Sequence, residues 1–333
     1  MVLMDHHAIG DGLSLTVFHR TLWKYLQESS RSSSTSESRE QEWPYIVPSD
    51  LKPPVFIEDA IKIPKDVVPL LTTEAASPFK PWVGNPPRLA PKMTRVHITT
   101  IPLAHLAVVT EYLSTDLQGV SLTGYLHSLM LIHLSRHIPS ATCFRGETPF
   151  SLRRFALTGS EEMVNHISCI DNDWAPDLVA SIRDSWPERE SEIIKAVYAV
   201  YRRQLKAELR TVDQSGPSFL REVLAIADLE RYCEESLTRE RGHTYELSNV
   251  GVSDMDVEGT ALDAAPELSV EKLVFTQCAM VTGPAFGCNV TMVKDGPLTV
   301  TLTWQDGIID EGLLRGCGRF IADAFEERYR ASI

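Results

Sequence analysis

Positive charge is in short supply in this chain of 333 residues, which sets 32 Lys and Arg against 45 Asp and Glu for a formal charge of -13. A chain so acidic has no general attraction for phosphate backbones or anionic membranes, so nucleic acid is excluded as an expected partner. The six cysteines, Cys143, Cys169, Cys233, Cys278, Cys288 and Cys317, form no CxxC pair and fall at no zinc-ribbon spacing. They read as buried or half-buried thiols of a reducing cytosol. No apolar run approaches the ~20 residues that cross a bilayer. No basic start, apolar stretch and small-residue cleavage site follow one another at the N-terminus. These absences leave a cytoplasmic globular protein. Its 43% apolar residues can bury one large core or two moderate ones.

Periodicity organises the chain. Residues 1–5 read as a short buried strand, and from Leu13 the apolar residues Val17, Phe18, Leu22, Trp23 and Leu26 share a helical face. Ser29 to Gln41 is serine-rich and has too few apolar side chains to offset its ordering entropy, which predicts a disordered loop. Pro44 to Pro91 holds eleven of the twenty prolines. It therefore excludes long helix or central strand and reads as a surface crossover with one short helix near Phe56 to Lys62. Beyond Lys92 the pattern is mixed α/β. Strands are expected at Val96–Ile101, Phe150–Phe155, Leu273–Met280, Cys288–Val293 and Leu298–Trp304, the last two joined by an Asp295-Gly296 hairpin. Helices are expected at Leu103–Leu113, at Ser121–Ile138 (capped by Ser121 and apolar nearly all round), at Ser191–Leu209 and at Ile309–Tyr329.

The chemistry concentrates in His6-His7-Ala8-Ile9-Gly10-Asp11-Gly12. Histidine is the side chain whose ordinary pKa suits proton removal near neutrality. A strand-to-helix turn presents it, and Gly10 and Gly12 are expected to let the backbone bend and to leave room for substrate beside the ring. The HHxxxDG pattern resembles the signature of the CoA-dependent acyltransferases, a superfamily that includes chloramphenicol acetyltransferases and peptide-synthetase condensation domains. Pro149-Phe-Ser-Leu-Arg-Arg-Phe155, Ser248-Asn-Val-Gly251 and Thr303-Trp-Gln-Asp-Gly307 look closest to its fungal alcohol acetyltransferase branch.

That resemblance implies a chloramphenicol-acetyltransferase-like, two-lobed α/β fold with mixed sheets. Residues 1–42 would be a remnant of the N-terminal lobe, 43–92 the crossover and 93–333 the C-terminal lobe. It implies transfer of acetyl, or another short acyl group, from acyl-CoA as co-substrate to an alcohol or amine, with no tightly bound cofactor, no metal and no acyl-enzyme. His7 is implied as general base, His6 as support for its loop, and Asp11 as the partner of an arginine, Arg153 first and Arg154 second. Ser248 and Asn249 are implied as channel or oxyanion contacts.

Plainer readings stand beside these. Two histidines at a strand end can simply be packed and hydrogen-bonded. Asp11 can serve only as an N-cap, a role compatible with pairing. Arg153 and Arg154 can be a solvated strand edge, and Ser248-Asn249 an ordinary turn. Read from Asp5, the triplet Asp5-His6-His7 matches a class of metal-dependent phosphoesterases, which would need further carboxylates and imidazoles to converge on it. Two departures from the family pattern are visible. The motif begins five residues after Met1, which implies an incomplete first lobe, apolar exposure beside Val2 to Met4, self-association and little or no transferase activity. A catalytically inactive binding module of the same fold is the alternative. In addition, Val164-Asn165-His166 stands where the family commonly has a Gly-Asn pair.

Overall fold

The computed structural model describes residues 2–32, 53–61, 63, 79–87, 89, 93–255 and 269–333. Helix α1 (Gly12–Ser32) and the single turn α2 (Ile57–Ala60) precede strand β1 (Thr94–Ile101). Helices α3 (Leu103–Thr115) and α4 (Leu122–His137) lead to β2 (Phe144–Ser151), the turn α5 (Arg153–Ala156) and β3 (Ile167–Trp174). Four helices follow: α6 (Pro176–Ser185), α7 (Glu190–Ser215), α8 (Ser218–Leu224) and α9 (Leu229–Ser236). The chain then runs through β4 (Tyr245–Ser253), β5 (Phe286–Val293), β6 (Leu298–Gln305) and α10 (Glu311–Ser332).

The six strands form one mixed sheet in the order β1-β6-β5-β4-β2-β3. The central pairs β2·β4 and β4·β5 are parallel, and the outer pairs are antiparallel. Strands β5 and β6 alternate strictly. Phe286, Cys288 and Val290, with Leu298, Val300, Leu302 and Trp304, point to one face, where α3, α4, α7 and α10 supply the facing apolar layer. Helix α4 is buried on every side, as its composition predicts, and Ser121 accepts from Gly124 N at its start.

The opposite face carries Asn289, Thr291, Thr299, Thr301 and Thr303, and these too are buried. What covers part of that face is the segment 269–280, of which Leu273–Met280 is expected to be a strand and is observed as part of a strap without a ladder. The reason is geometric: β6 already has β1 and β5 on its two edges, so the strap can only lie across the face. Thr299 Oγ1 donates to Leu273 O at 2.7 Å and Thr301 Oγ1 donates to Phe275 O. The two-residue period of the strand is thus matched by the strap's carbonyls. Further along, Thr94 Oγ1 accepts from Ala279 N.

Other expectations change with the structure. Residues 2–6 are extended but unpaired among the described residues, and Val2 and Met4 are each 91% exposed rather than buried. Residues 29–32 continue α1, while the rest of the serine-rich stretch and most of the crossover lie outside the described residues. The strand expected at Phe150–Phe155 starts earlier, at Phe144, and gives way to helical turn α5 after Ser151. In the β5–β6 hairpin the positive φ falls on Asp295, not on Gly296. Cys233 and Cys278 are exposed. Among the described residues no helix is long and apolar enough to cross a membrane.

A buried polar network stitches α4 to the sheet. The His127 ring nitrogens lie 2.9 Å from Tyr245 Oη and 3.0 Å from Thr148 Oγ1, and Trp174 Nε1 donates to the same tyrosine oxygen. Burial pushes the His127 pKa down to about 3 and that of His133 to about 4. The ordinary value, held in the unfolded chain, is ~6.5. Below that pH only the unfolded state takes up the protons, so the stability present above pH 6.5 drains away as pH falls. Urea unfolding between pH 7 and pH 4.5 should show the free energy dropping by ~1 kcal/mol or more per pH unit. His127→Gln should flatten the slope without abolishing it, since His133 acts in the same direction; an unchanged slope would contradict the assignment.

Candidate active site

The motif folds as an extended run into a turn and then directly into α1. His6 holds that turn: its carbonyl accepts from Ile9 N at 3.0 Å and its Nδ1 accepts from Ala8 N at 3.2 Å. In the neutral ring the proton therefore sits on Nε2. His7 is exposed, and its ring has no hydrogen-bond partner among the described residues. Its carbonyl is fixed instead, by Asn165 Nδ2 at 2.7 Å.

Asp11 does both things that the sequence allows. It caps α1, with Oδ1 accepting from Ser14 N at 2.9 Å. It also pairs with Arg153, whose Nη2 donates to the same oxygen at 2.9 Å, the two side chains being 1% and 10% exposed. The arginine sits on α5, the helical turn that follows β2, and not on a strand edge. That turn sends Arg153 inward and leaves Arg154 exposed over the Phe155 ring. Arg153 Nη1 donates to Glu162 O at 2.7 Å, which fixes the guanidinium from the far side.

One participant is missed by sequence reasoning and a second is visible there only as a departure from the family pattern. The Ser14 hydroxyl oxygen lies 2.8 Å from Val164 O and 3.0 Å from Asp11 Oδ1, either of which can take its single proton. It accepts from Val164 N and from Arg153 Nη2. The second participant is the segment Val164-Asn165-His166, where Asp11 N donates to Val164 O and His166 N donates to Asp11 Oδ2. Only an S three residues after D, the spacing of a helix cap, signals Ser14 in the sequence. Nothing local signals the 164–166 contacts, because they span about 150 residues.

The glycines have another purpose than the one expected. Neither Gly10 nor Gly12 has a positive φ. A Cβ on Gly10 would come within 2.9 Å of Ser14 Cβ, and one on Gly12 within 2.4 Å of Val250 Cγ1. Close packing of the motif turn against Ser14 and of α1 against β4, not a positive φ, is what excludes side chains here.

Val250 is thus the β4 residue in contact with the motif. Ser248, two residues earlier, is buried beside Asn289 on the polar face. Asn249 belongs to a β-bulge, donating to Thr123 Oγ1 at 3.2 Å and accepting from Gly251 N at 2.9 Å. Between α1, the end of β4 and the strap lies a cavity of about 700 Å³, lined among others by Gly12, Leu15, Trp23, Val250 and Phe275. Its polar lining includes Glu271, Lys272 and His19. The ring's Nδ1 lies 2.7 Å from Leu15 O and must donate to it, which leaves Nε2 as an acceptor. The volume falls in the range of small-molecule sites.

Removing one partner of a buried pair strands the other, at ~3–5 kcal/mol. Asp11→Asn and Arg153→Met should each lower the melting temperature, and the double variant should cost less than their sum. Strict additivity in that cycle would contradict a coupled pair.

Comparison with known proteins identifies the family. The family model described as alcohol acetyltransferase matches residues 1–312. A probable alcohol acetyltransferase of Aspergillus fumigatus is 24% identical over 328 residues, covering 97% of this chain and 68% of the relative. Another, from Fusarium pseudograminearum, is 24% identical over 336 residues, covering 94% and 64%. The chain spans about two thirds of the length of these relatives. Among solved structures, a trichothecene 15-O-acetyltransferase from Fusarium sporotrichioides superimposes with a TM-score of 0.64 at 14% identity, covering 96% of this chain and 64% of that one. The likeness places the sheet and its helices in a chloramphenicol-acetyltransferase-like fold. By the match over residues 1–312, the chain belongs to the alcohol acetyltransferase family.

Proposed function

We propose that this chain transfers an acyl group, acetyl in the simplest case, from acyl-CoA to an alcohol or amine, with His7 as general base. In this reading residues 93–333, which hold all six strands, form the acyltransferase lobe, residues 1–42 bring the motif to it, and 43–92 cross between them. The observation that carries the proposal is the division of labour around the motif. Asp11, Ser14 and Arg153 hold the loop, Asn165 holds the His7 carbonyl, and the His7 ring is left without a partner among the described residues. A base that must take a proton from substrate needs its nitrogen free and its backbone fixed.

In the reaction the acceptor O–H or N–H gives its proton to His7 as the oxygen or nitrogen bonds to the thioester carbonyl carbon. Collapse of the tetrahedral intermediate breaks the C–S bond, and the imidazolium returns the proton to the CoA sulfur. The intermediate's oxyanion needs a donor. The Ser248 hydroxyl is our nomination, because the Asn249 amide is engaged with Thr123 and Gly251. The cavity that opens at Gly12 supplies an apolar seat for the acceptor, with His19 Nε2 as one polar anchor.

The test follows free thiol released from acetyl-CoA in the presence of a panel of alcohols and amines. His7→Ala should lower kcat by ~10²–10⁴-fold. His6→Ala should cost less, since His6 acts by bracing the turn. Equal turnover by wild type and His7→Ala, or no acyl transfer by the wild-type chain to any acceptor, would contradict the proposal.

A further inference from the structure

Away from the motif, the polar face of the sheet carries an unusual row. Asp171 on β3 is the register partner of Glu147 on β2, and Glu147 is the register partner of Glu246 on β4. Residues directly opposite share a face, so three carboxylates stand side by side across three strands. Like charges so placed destabilise a sheet. The positive charge at hand is small: Arg145 is committed to Asp173 at 2.7 Å, and one imidazole, His243, enters just before β4 with Nε2 2.9 Å from Asp171 Oδ1.

The buried member of the row is underused. Glu246 is only 7% exposed, and Gln277 Nε2 donates to its Oε1 at 2.8 Å. No second donor reaches its carboxylate among the described residues. Glu147 receives the Cys169 thiol. Burial and the facing Glu147 push the Glu246 carboxyl up to about 7, and burial raises Glu147 as well. One ligand atom each from Glu147, Asp171 and His243 lies within 4.8 Å of the other two.

We propose that Glu147, Asp171 and His243, with Glu246 beside them, form a binding site for a divalent transition-metal cation of zinc's class. An imidazole among carboxylates suits Zn²⁺ and its neighbours better than Mg²⁺ or Ca²⁺, which take oxygen ligands. Bonds of ~2.0–2.2 Å place tetrahedral ligand atoms ~3.3 Å apart, so small side-chain rotations close the set. The ion would neutralise the row and tie β3, β2 and the entry to β4 together, and through Glu246 and Gln277 would hold the strap to the sheet. Glu246 precedes Val250, the residue in contact with the motif, by four positions, ~13 Å along β4. The site is therefore separate from the proposed base and stands whatever reaction the chain performs.

Metal-free protein titrated with zinc chloride in a calorimeter tests this, with circular dichroism reporting the fold. One saturable equivalent per chain is expected. His243→Ala, Asp171→Asn and the near-isosteric Glu147→Gln should each weaken binding at least tenfold. Magnesium chloride should give no comparable heat. Because Cys233 and Cys278 are exposed thiols, the Cys233→Ser, Cys278→Ser double variant should keep the binding. Absence of saturable zinc heat overturns the proposal. So does binding that survives Glu147→Gln and His243→Ala but vanishes with the two cysteines. Should His243→Ala misfold, the Glu147→Gln titration and the cobalt(II) spectrum of wild type decide, sulfur-to-cobalt charge transfer in the latter counting against the site.

Discussion

Asp11 holds a negative charge almost wholly out of water, and the surrounding chain is arranged so that this charge is answered. A buried ion pair gains little over an apolar packing unless further hydrogen bonds complete it. Here they do. The carboxylate meets the Arg153 guanidinium, the Ser14 amide in the first turn of α1 and the amide of His166, while Ser14 bridges Arg153 and Val164. The motif turn with the start of α1, the turn α5 and residues 164–166 are thereby bound at one point. The position of His7 follows from that node. Its carbonyl is held by Asn165, which neighbours two residues of the node, and its ring projects from a turn closed by His6.

The sheet on which this rests has two unlike faces. One is apolar and packs beneath four helices in a continuous core. The other is lined by threonines, Asn289 and Ser248, yet is equally hidden. Burying hydroxyls without partners would be costly. The strap repays part of that by presenting backbone carbonyls at the spacing of β6, so the hydroxyls of Thr299 and Thr301 find acceptors without a seventh strand. The strap's apolar residues, Phe275 among them, then look outward to wall the cavity at the foot of α1. Membership of the alcohol acetyltransferase family gives a context in which a braced histidine, a polar sheet face and an apolar cavity lie close together.

How much of this could be read in the sequence depended on range. Elements with strong local periodicity, such as α4, α10 and the alternating β5 and β6, were legible to within a few residues. The Asp11–Arg153 pair was legible as well, because the motif resembles a known signature and an arginine stands at the matching downstream position. Arg153 was nonetheless assigned to a strand, since nothing in Ser151-Leu152-Arg153-Arg154 announces a helical turn. Strand β3 was hidden by its polar alternation, Asp171-Asn172-Asp173, which reads as surface unless the row of carboxylates on β2 and β4 is known. The strap failed for the converse reason: Leu273 to Met280 has the composition of a strand, and only the occupied edges of β6 deny it a ladder. The contacts of Ser14 with Val164 and of Asn165 with His7 are not legible because they span about 150 residues. The glycines were seen but misjudged, because a close approach by Val250 cannot be inferred from a local pattern.

The central claim is that one buried node, centred on Asp11, orders the His7 turn and the 164–166 segment as a unit. Hydrogen exchange compared between wild type and Arg153→Met tests it directly, because exchange reports local opening separately from global stability. Peptides covering residues 5–15 and 162–168 should lose protection together, while those from β5 and β6 keep theirs. Loss confined to the neighbourhood of residue 153, with the motif turn still protected, would contradict the account.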